Sequence, residues 1–364
     1  MHARSRLPAW LSFLALKKMK KQNKPFFVTT VHGPYSINRY SSIMTKGDCV
    51  IAISNYIKKY ITDNYPSANK KNITVIHRGI DKNKFPFGFS PTNDWLVDWN
   101  KNKYYSNEKF IITLPARITR WKGHIDFIKI VTKLHNLGLN VHGLFVGGLD
   151  NKKENYFLEL KKLILKLNVQ ENFTFLGHRD DIREIMAKSN IVLSLAKVPE
   201  AFGRTALEAL SIGVPVIAYN HGGAAEVLSE LFPEGKVSPH DINGVVSKVE
   251  LFYKSTPRVK NINTFTLNTK VLKKIPAEYE KYETILGQPM FVNQWRTMKF
   301  FKTAKKILIK NPLLILNKNK RNIKFHFDWM HGENNLENAV DLLDNKNKED
   351  FNKFINSEVS FNPH

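Results

Sequence analysis

Two glutamates frame a short turn in the second half of the chain. The stretch from Pro199 to Gly223 reads PEAFGRTALEALSIGVPVIAYNHGG, with Glu200 before the turn and Glu208 about one turn into the helix predicted to follow. The start of a helix presents free backbone N–H groups and the positive end of its dipole, which favours a phosphate. Carboxylates accept hydrogen bonds from hydroxyls. The spacing therefore predicts a ligand whose hydroxyl groups lie on both sides of its phosphates.

A nucleotide sugar has that layout, because its diphosphate lies between a ribose and a sugar. The bland alternative is that Glu200 and Glu208 are solvated surface acids, since two glutamates eight positions apart are common. A second constellation, LPARITRWKGH, favours the ligand: Arg117 and Lys122 follow a predicted strand across a turn closed by Gly123. Two fixed cations there neutralise a diphosphate and stabilise the charge that develops on a leaving nucleotide. The alternative is a solvated basic loop.

Three further polar residues end predicted strands in the first half of the chain. His32 closes the apolar run FFVTTV, Ser54 follows CVIAI, and Arg78 follows ITVIH. Ligands of parallel sheets bind at the carboxyl ends of the strands. We therefore expect these side chains to face a cleft, with an ordinary polar contact, helix capping or a surface contact as the alternatives.

The elements that must position these residues follow an α/β pattern. Residues 24–80 alternate strand-like runs with helical or loop segments, and residues 81–108 lack a period, which predicts a linker. The alternation then resumes, predicting a parallel, doubly wound sheet. Strands are predicted at 110–114, 141–146, 173–176, 191–195 and 214–219, and helices at about 124–137, 154–167, 180–189 and 203–212.

Composition bounds the class of protein. The chain has 364 residues, 42% hydrophobic, with 56 Lys and Arg against 32 acids and a net charge of +24, which is typical of a globular protein of more than one domain. The charge has two interpretations, an anionic partner or a lysine-rich composition throughout. The basic residues are spread along the chain without an aromatic and basic motif, so nucleic-acid binding is not expected. The single cysteine, Cys49, excludes an internal disulfide and a cysteine-based zinc site.

No apolar run approaches the roughly 18 to 20 residues needed to span a bilayer. The N-terminal stretch MHARSRLPAWLSFLALKKMKK imitates a signal peptide but lacks a small-residue cleavage site, so it predicts an amphipathic helix. A second, basic amphipathic helix is predicted at 294–310. It either lies on an anionic membrane surface or packs back on the first domain.

Together these motifs resemble a known family. ARITRWKG, FVGG, FLGHRDD, the Pro199–Gly223 stretch continued by AAEVL, and the earlier VTTVHGPYS, AISNYI and VIHRGIDKNKF look like a retaining glycosyltransferase of family 4 with the GT-B fold. HARSRLPAW, HGPYS and HRGID resemble the branch that adds hexoses during lipopolysaccharide core synthesis. The resemblance covers residues 1 to about 287.

The resemblance implies roles for the candidate residues. Glu200 is expected to contact hydroxyls of the donor sugar and Glu208 the ribose, while Arg117 and Lys122 hold the diphosphate. His32 is expected near the donor sugar and the reaction centre. The remaining donor-binding residues are Gly203, Arg204 and Thr205 at the helix start and Gly222 and Gly223 in a loop that lets the backbone approach the donor.

The family's chemistry implies no cofactor and no divalent metal, because Arg and Lys replace the metal. It also implies front-face attack with retention, a nucleotide-sugar donor, a lipid-linked glycan acceptor, and a cytoplasmic enzyme in peripheral contact with the inner membrane. The expected domains are a partial N-terminal Rossmann-like domain at 1–95, a nucleotide-sugar-binding one at 96–287, and a basic helical extension at 288–364. Because MHARSR matches a motif well inside the family's first domain, that domain is expected to be truncated. The alternative function is a non-catalytic nucleotide-binding remnant.

Overall fold

The computed structural model describes residues 1–81, 83–101, 109–149 and 154–261. These residues fall within one compact unit, Met1–Phe291. The helix expected at 294–310 and the rest of the C-terminal extension lie outside the described residues.

The first half is a four-stranded parallel sheet whose strands follow one another in the order β1-β2-β3-β4. Both central strands are buried along their whole length, as an apolar run without alternation predicts. The predicted N-terminal amphipathic helix is confirmed as α1, which buries Ala9, Ala15 and Leu16. The elements are β1 (His2–Ala3), α1 (Arg6–Lys17), β2 (Val28–Val31), β3 (Cys49–Ala52), α2 (Asn55–Asn64) and β4 (Ile73–Val75).

The second half is a six-stranded parallel sheet in the order β10-β9-β8-β5-β6-β7. The strand order runs outward in both directions from β5, so the predicted doubly wound sheet is confirmed. Its strands are β5 (Phe110–Pro115), β6 (Val141–Val146), β7 (Phe173–Gly177), β8 (Ile191–Ser194), β9 (Val216–Tyr219) and β10 (Lys236–Val237). Its helices are α3 (Asn93–Asn100), α4 (His124–Asn136), α5 (Glu154–Lys166), α6 (Ile182–Ala187), α7 (Arg204–Ser211), α8 (Gly222–Leu231) and α9 (Ile242–Lys254).

The reversal of strand order between β5 and β8 determines where a ligand can bind. Neighbouring strands whose connections leave in opposite directions open a crevice at their carboxyl ends. Here the crevice lies between the loop after β5, which carries Arg117 and Lys122, and the loop after β8, which carries Glu200. The fold thus brings both predicted constellations to one place.

Helix α3 corrects the prediction of an irregular linker over 81–108. Thr92 caps the helix by accepting from the N–H of Trp95. Trp95 and Trp99 stack with their centroids 4.8 Å apart, and Trp99 packs against Ile111 and other buried residues of the second half. Burial of Trp99 and its stacking on Trp95 stabilise a helix whose sequence period is too short to recognise, since helical stability in proteins comes mostly from packing.

Candidate active site

An ion pair occupies the crevice at the point where the strand order reverses. Lys122 Nζ contacts Glu200 Oε1, and their side chains are only 22% and 11% exposed. Both residues, together with Thr205 and the ends of β5 and β8, line a small recess. The structure therefore brings together two residues that belong to separate constellations in the sequence.

Close packing of the two loops fixes this pair. Gly123 has a φ of 80°, and a Cβ at this position would collide with the carbonyl oxygen of Leu195 in the facing loop. Only glycine combines that left-handed conformation with such an approach. Lys122 precedes this contact directly, and its ammonium also lies 4.3 Å from the centre of the Trp121 ring.

The chemistry available to the pair follows from its charges. A largely buried lysine and carboxylate compensate each other's loss of hydration. A phosphate that enters the recess can replace Glu200 as the partner of the Lys122 ammonium. The carboxylate is then available to accept hydrogen bonds from hydroxyl groups. The pair is therefore suited to a ligand that carries a phosphate next to a polyol.

Helix α7 begins at Arg204, where the sequence predicts a helix start, and its second residue, Thr205, lines the same recess as the pair. Gly203 precedes it with a φ of 82°, and a Cβ there would lie 2.5 Å from Ala224 Cα. Arg204 and Thr205 are the first helical residues. Glu208, 8% exposed, accepts a 2.7 Å hydrogen bond from Arg204 Nε one turn earlier. The helix start, one cation and one buried carboxylate thus lie within a few residues of chain.

Gly222 and Gly223 are the first two residues of helix α8, which corrects the expectation that they belong to a loop. A Cβ on Gly222 would lie 2.6 Å from the Glu200 carbonyl oxygen, and one on Gly223 would collide with Phe202 Cα. The N–H of Gly223 donates to the Glu200 carbonyl at 2.7 Å. These glycines let α8 approach the loop that holds Glu200. Their expected contact with a donor stays a prediction.

Arg117 lies at the rim of the recess, directly after Ala116, which lines it. It follows β5 as predicted, but it is exposed, does not line the recess, and forms no ion pair with any described residue. A cation held at the rim, without a carboxylate partner among those residues, is free to move toward a bound anion.

His32 lies in the first half, at the carboxyl end of β2, between two arginines. Its Nδ1 lies 2.7 Å from an Arg78 guanidinium nitrogen, so Nδ1 accepts that bond. Arg4 Nε lies 3.4 Å from Nε2. Burial lowers the pKa of His32 to about 3, and the charges of Arg78, Arg4 and His2 contribute. The imidazole is therefore neutral at physiological pH.

Ser54 links the two halves. Its hydroxyl accepts from the N–H of Ile57 and so caps α2, and it donates at 2.6 Å to the carbonyl of Ala201, next to Glu200. The side chain is fully buried. The capping role, which the sequence offers as an alternative, is therefore present, and the hydroxyl contacts the loop that carries Glu200 instead of opening into a cleft.

Sequence reasoning missed Glu226 on α8, which connects the two halves through several polar contacts. Its carboxylate accepts from both nitrogens of Asn55 and from the backbone N–H of Tyr56, at 2.7 to 2.9 Å. It also lies 3.0 Å from His77 Nε2. The run GGAAE that carries this acid has no feature that indicates a partner 171 positions away, so the sequence offers no signal for the contact.

Over the described ranges, no helix has the length and apolarity required to cross a bilayer. Within the same ranges no group of three or more His, Cys, Asp or Glu side chains is placed to hold a metal ion.

Two family models match the chain. Residues 1–84 match the model described as Glycosyltransferase Family 4, and residues 98–267 match Glycosyl transferases group 1. The matches follow the two sheets, since the first ends after β4 and the second begins in α3. They correspond to the family resemblance that the motifs indicate.

Curated relatives carry related names. Protein CapJ of Staphylococcus aureus is 29% identical over 81% of this chain and 73% of its own length. The capsular polysaccharide biosynthesis glycosyltransferase CapM of the same species is 30% identical over 55% of this chain. The putative glycosyltransferase YtcC of Bacillus subtilis is 22% identical over 64% of this chain. The chain spans 51% of the length of CapM and 55% of that of YtcC.

Solved structures confirm the predicted GT-B fold. A glycosyltransferase from Rickettsia africae superposes with a TM-score of 0.61 at 29% identity, covering 87% of this chain and 77% of that one. Anabaena Alr3699/HepE, in complex with UDP and glucose, gives 0.59 at 22% identity, covering 68% and 65%. The family models and the named relatives together support a transferase.

Proposed function

We propose that this chain is a retaining glycosyltransferase that moves a hexose from a nucleoside-diphosphate sugar to a lipid-linked saccharide during cell-envelope glycan synthesis, with lipopolysaccharide as the leading product class. The observation that carries the proposal is the Lys122–Glu200 pair beside the start of α7, in the crevice between β5 and β8. The names of the relatives support a glycosyltransferase that uses a nucleotide sugar: CapM acts in capsular polysaccharide biosynthesis, and HepE was solved with UDP-glucose.

The donor is expected to bind along the second half. The N–H groups at the start of α7 and the ammonium of Lys122 hold the diphosphate, joined from the rim by Arg117. Glu200 accepts hydrogen bonds from the sugar hydroxyls, and Glu208 turns from Arg204 to the ribose. When the diphosphate binds Lys122 and Arg204 in place of their carboxylate partners, Glu200 and Glu208 become available for these contacts.

The cations also supply the catalysis. As the bond between the sugar and the diphosphate breaks, negative charge grows on the departing phosphate, and a fixed cation in a partly dry crevice stabilises that charge most. The acceptor hydroxyl attacks from the face that the nucleotide leaves, so the anomeric configuration is retained, and the departing phosphate takes the proton. The neutral imidazole of His32 contributes a hydrogen bond near the reacting sugar and no charge.

The acceptor's lipid would hold the enzyme at the inner face of the membrane. The net charge of +24 supports such a peripheral contact, because basic side chains are attracted to anionic headgroups.

Calorimetric titration of the full chain with UDP, GDP, UDP-glucose and GDP-mannose, in the presence of a chelator, tests the donor site. One nucleotide is expected to bind. Lys122→Ala removes a charge-assisted bond of about 1.5–3 kcal/mol and should weaken binding about 10- to 150-fold. Glu208→Ala should weaken the binding of nucleotides that carry ribose, by a smaller factor than Lys122→Ala.

The matched control is Lys133→Ala, on the exposed face of α4, where the ammonium contacts Asn243. It removes the same charge and should bind like the wild type. A folded wild-type chain that binds none of the four compounds refutes the donor site. Binding of the nucleotide without transfer to any lipid-linked acceptor supports a non-catalytic nucleotide-binding protein in place of an enzyme.

A further inference from the structure

A cluster of two arginines and a neutral histidine lies at the carboxyl edge of the first sheet, and none of the three lines the recess that holds Lys122 and Glu200. Arg4 follows β1, His32 follows β2, and Arg78 lies three residues beyond the end of β4. Because the strands are parallel, their carboxyl ends share one edge of the sheet. Both guanidinium groups approach the same imidazole, Arg78 at 2.7 Å from Nδ1 and Arg4 at 3.4 Å from Nε2.

The charge of Arg78 is not compensated by an acid. The residue is half-buried, and among the described residues its hydrogen-bond partner is the neutral His32 and no carboxylate. Burial lowers the pKa of Arg78, and the nearby charges of Arg4 and Arg204 lower it further. Holding a partly desolvated guanidinium among other cations costs free energy that a bound anion would recover.

The geometry suits a phosphate group. A guanidinium presents its N–H groups as a planar fork that matches two oxygens of a phosphate. The neutral imidazole adds no charge of its own, and its Nδ1 accepts a hydrogen bond from Arg78 that holds the guanidinium in place. Arg204, the first residue of α7, adds to the positive charge around Arg78.

Two sources can supply such a phosphate, the donor's diphosphate or a phosphate on the acceptor. The second half already offers Lys122, the start of α7 and Arg117 to the diphosphate. Arg4, His32 and Arg78 all belong to the first half. We propose that Arg78, together with Arg4, binds a phosphate group of the acceptor, and that His32 positions the Arg78 guanidinium. This inference rests on the proposed transferase function and adds that the acceptor is a glycosyl phosphate or diphosphate.

The test compares two small probes on the full chain after saturation with UDP or GDP, so that the donor site is blocked. Glucose 1-phosphate carries the phosphate, and methyl glucoside is its neutral counterpart. The wild type should bind glucose 1-phosphate at least about 10-fold more tightly than the glucoside. Arg78→Gln should lower the affinity for glucose 1-phosphate by about 10-fold or more, the equivalent of one charge-assisted hydrogen bond. Arg78→Lys should retain part of it.

Controls distinguish the donor diphosphate from an acceptor phosphate, and failure of the donor site from failure of the acceptor phosphate site. Lys133→Gln removes one charge from the exposed face of α4 and should change nothing. Arg78→Gln should leave nucleotide affinity within about twofold; a parallel loss of nucleotide affinity would assign the cluster to the donor diphosphate and overturn the proposal. Equal affinity of the wild type and Arg78→Gln for glucose 1-phosphate would also overturn the proposal. The same holds if the folded wild type does not bind glucose 1-phosphate. Failure of every nucleotide to bind, with glucose 1-phosphate binding still dependent on Arg78, would refute the donor site alone.

Discussion

Removal of the Glu226 carboxylate should loosen the contact between the two halves of the molecule. Glu226→Ala deletes the acceptor of three hydrogen bonds at the start of α2 and the partner of His77. The buried apolar side chains of both halves are left unchanged. The variant therefore tests the polar connection by itself.

The magnitude follows from the environment of the carboxylate. Its side chain is 21% exposed, so each bond is partly desolvated, and hydrogen bonds to charged groups contribute roughly 1.5–3 kcal/mol. Asn55 is exposed, however, and water can replace the lost acceptor there. The effect is then close to the loss of a helix cap plus one hydrogen bond to His77, about 2 kcal/mol.

The pH dependence provides an independent check. Burial raises the pKa of Glu226, but the hydrogen bonds from His77, Asn55 and Tyr56 outweigh it and hold the pKa below the ordinary 4.5. A carboxyl whose pKa is lowered on folding stabilises the protein fully above its unfolded pKa. The difference between wild type and Glu226→Ala should therefore be complete at pH 7 and shrink as the pH falls below 4.5.

Urea unfolding at pH 7 and small-angle scattering measure the two consequences. Glu226→Ala should lose about 2 kcal/mol of unfolding free energy and show a larger radius of gyration. Glu230→Ala is the matched control, because Glu230 lies one turn later on α8, is exposed, and has no hydrogen bond or ion pair with a described residue. If both variants unfold at the same urea concentration and scatter alike, the carboxylate does not hold the halves together.

Three further changes test other parts of the structure. Gly123→Ala places a Cβ against a backbone carbonyl at a φ of 80° and should lower the free energy of unfolding in urea by more than about 2 kcal/mol. Gly33→Ala is the control and should be neutral, because no atom lies within 4 Å of the added Cβ. Equal urea midpoints for the two variants would contradict the packing argument. Trp95→Phe keeps the aromatic stack but loses the 2.7 Å bond to Asp181 and should cost about 1 kcal/mol by the same assay; an unchanged midpoint would show that this bond adds nothing to stability. Since His32 has a pKa of about 3 against an ordinary 6.5, the stability linked to it is complete above pH 6.5 and is lost as the pH falls toward 3. His32→Gln should flatten that decline below pH 6.5, and an unchanged slope would argue against a buried neutral imidazole.

The sequence by itself determined the elements and the edge of the sheet at which the candidate residues lie. Hydrophobic periodicity depends only on residues that are close in sequence, so it predicts strands and helices without the fold. Examples are the apolar runs of β5, β6 and β8 and the amphipathic runs of α4, α5 and α7. The glycine at position 203 and the start of α7 were predictable for the same reason. Arg117, Lys122, Glu200 and His32 all follow strands as the pattern indicates.

Only the tertiary structure decided which of these residues meet. Lys122 and Glu200 are 78 positions apart, and they pair because β5 and β8 are neighbours in a strand order that no local pattern records. Glu226 reaches Asn55 across 171 positions, and Arg78 reaches His32 across 46. Such contacts depend on how the sheets are ordered and how the loops close. A phosphate and hydroxyl site could therefore be predicted from the sequence, whereas the link between the halves and the cluster of Arg4, His32 and Arg78 emerged only from packing.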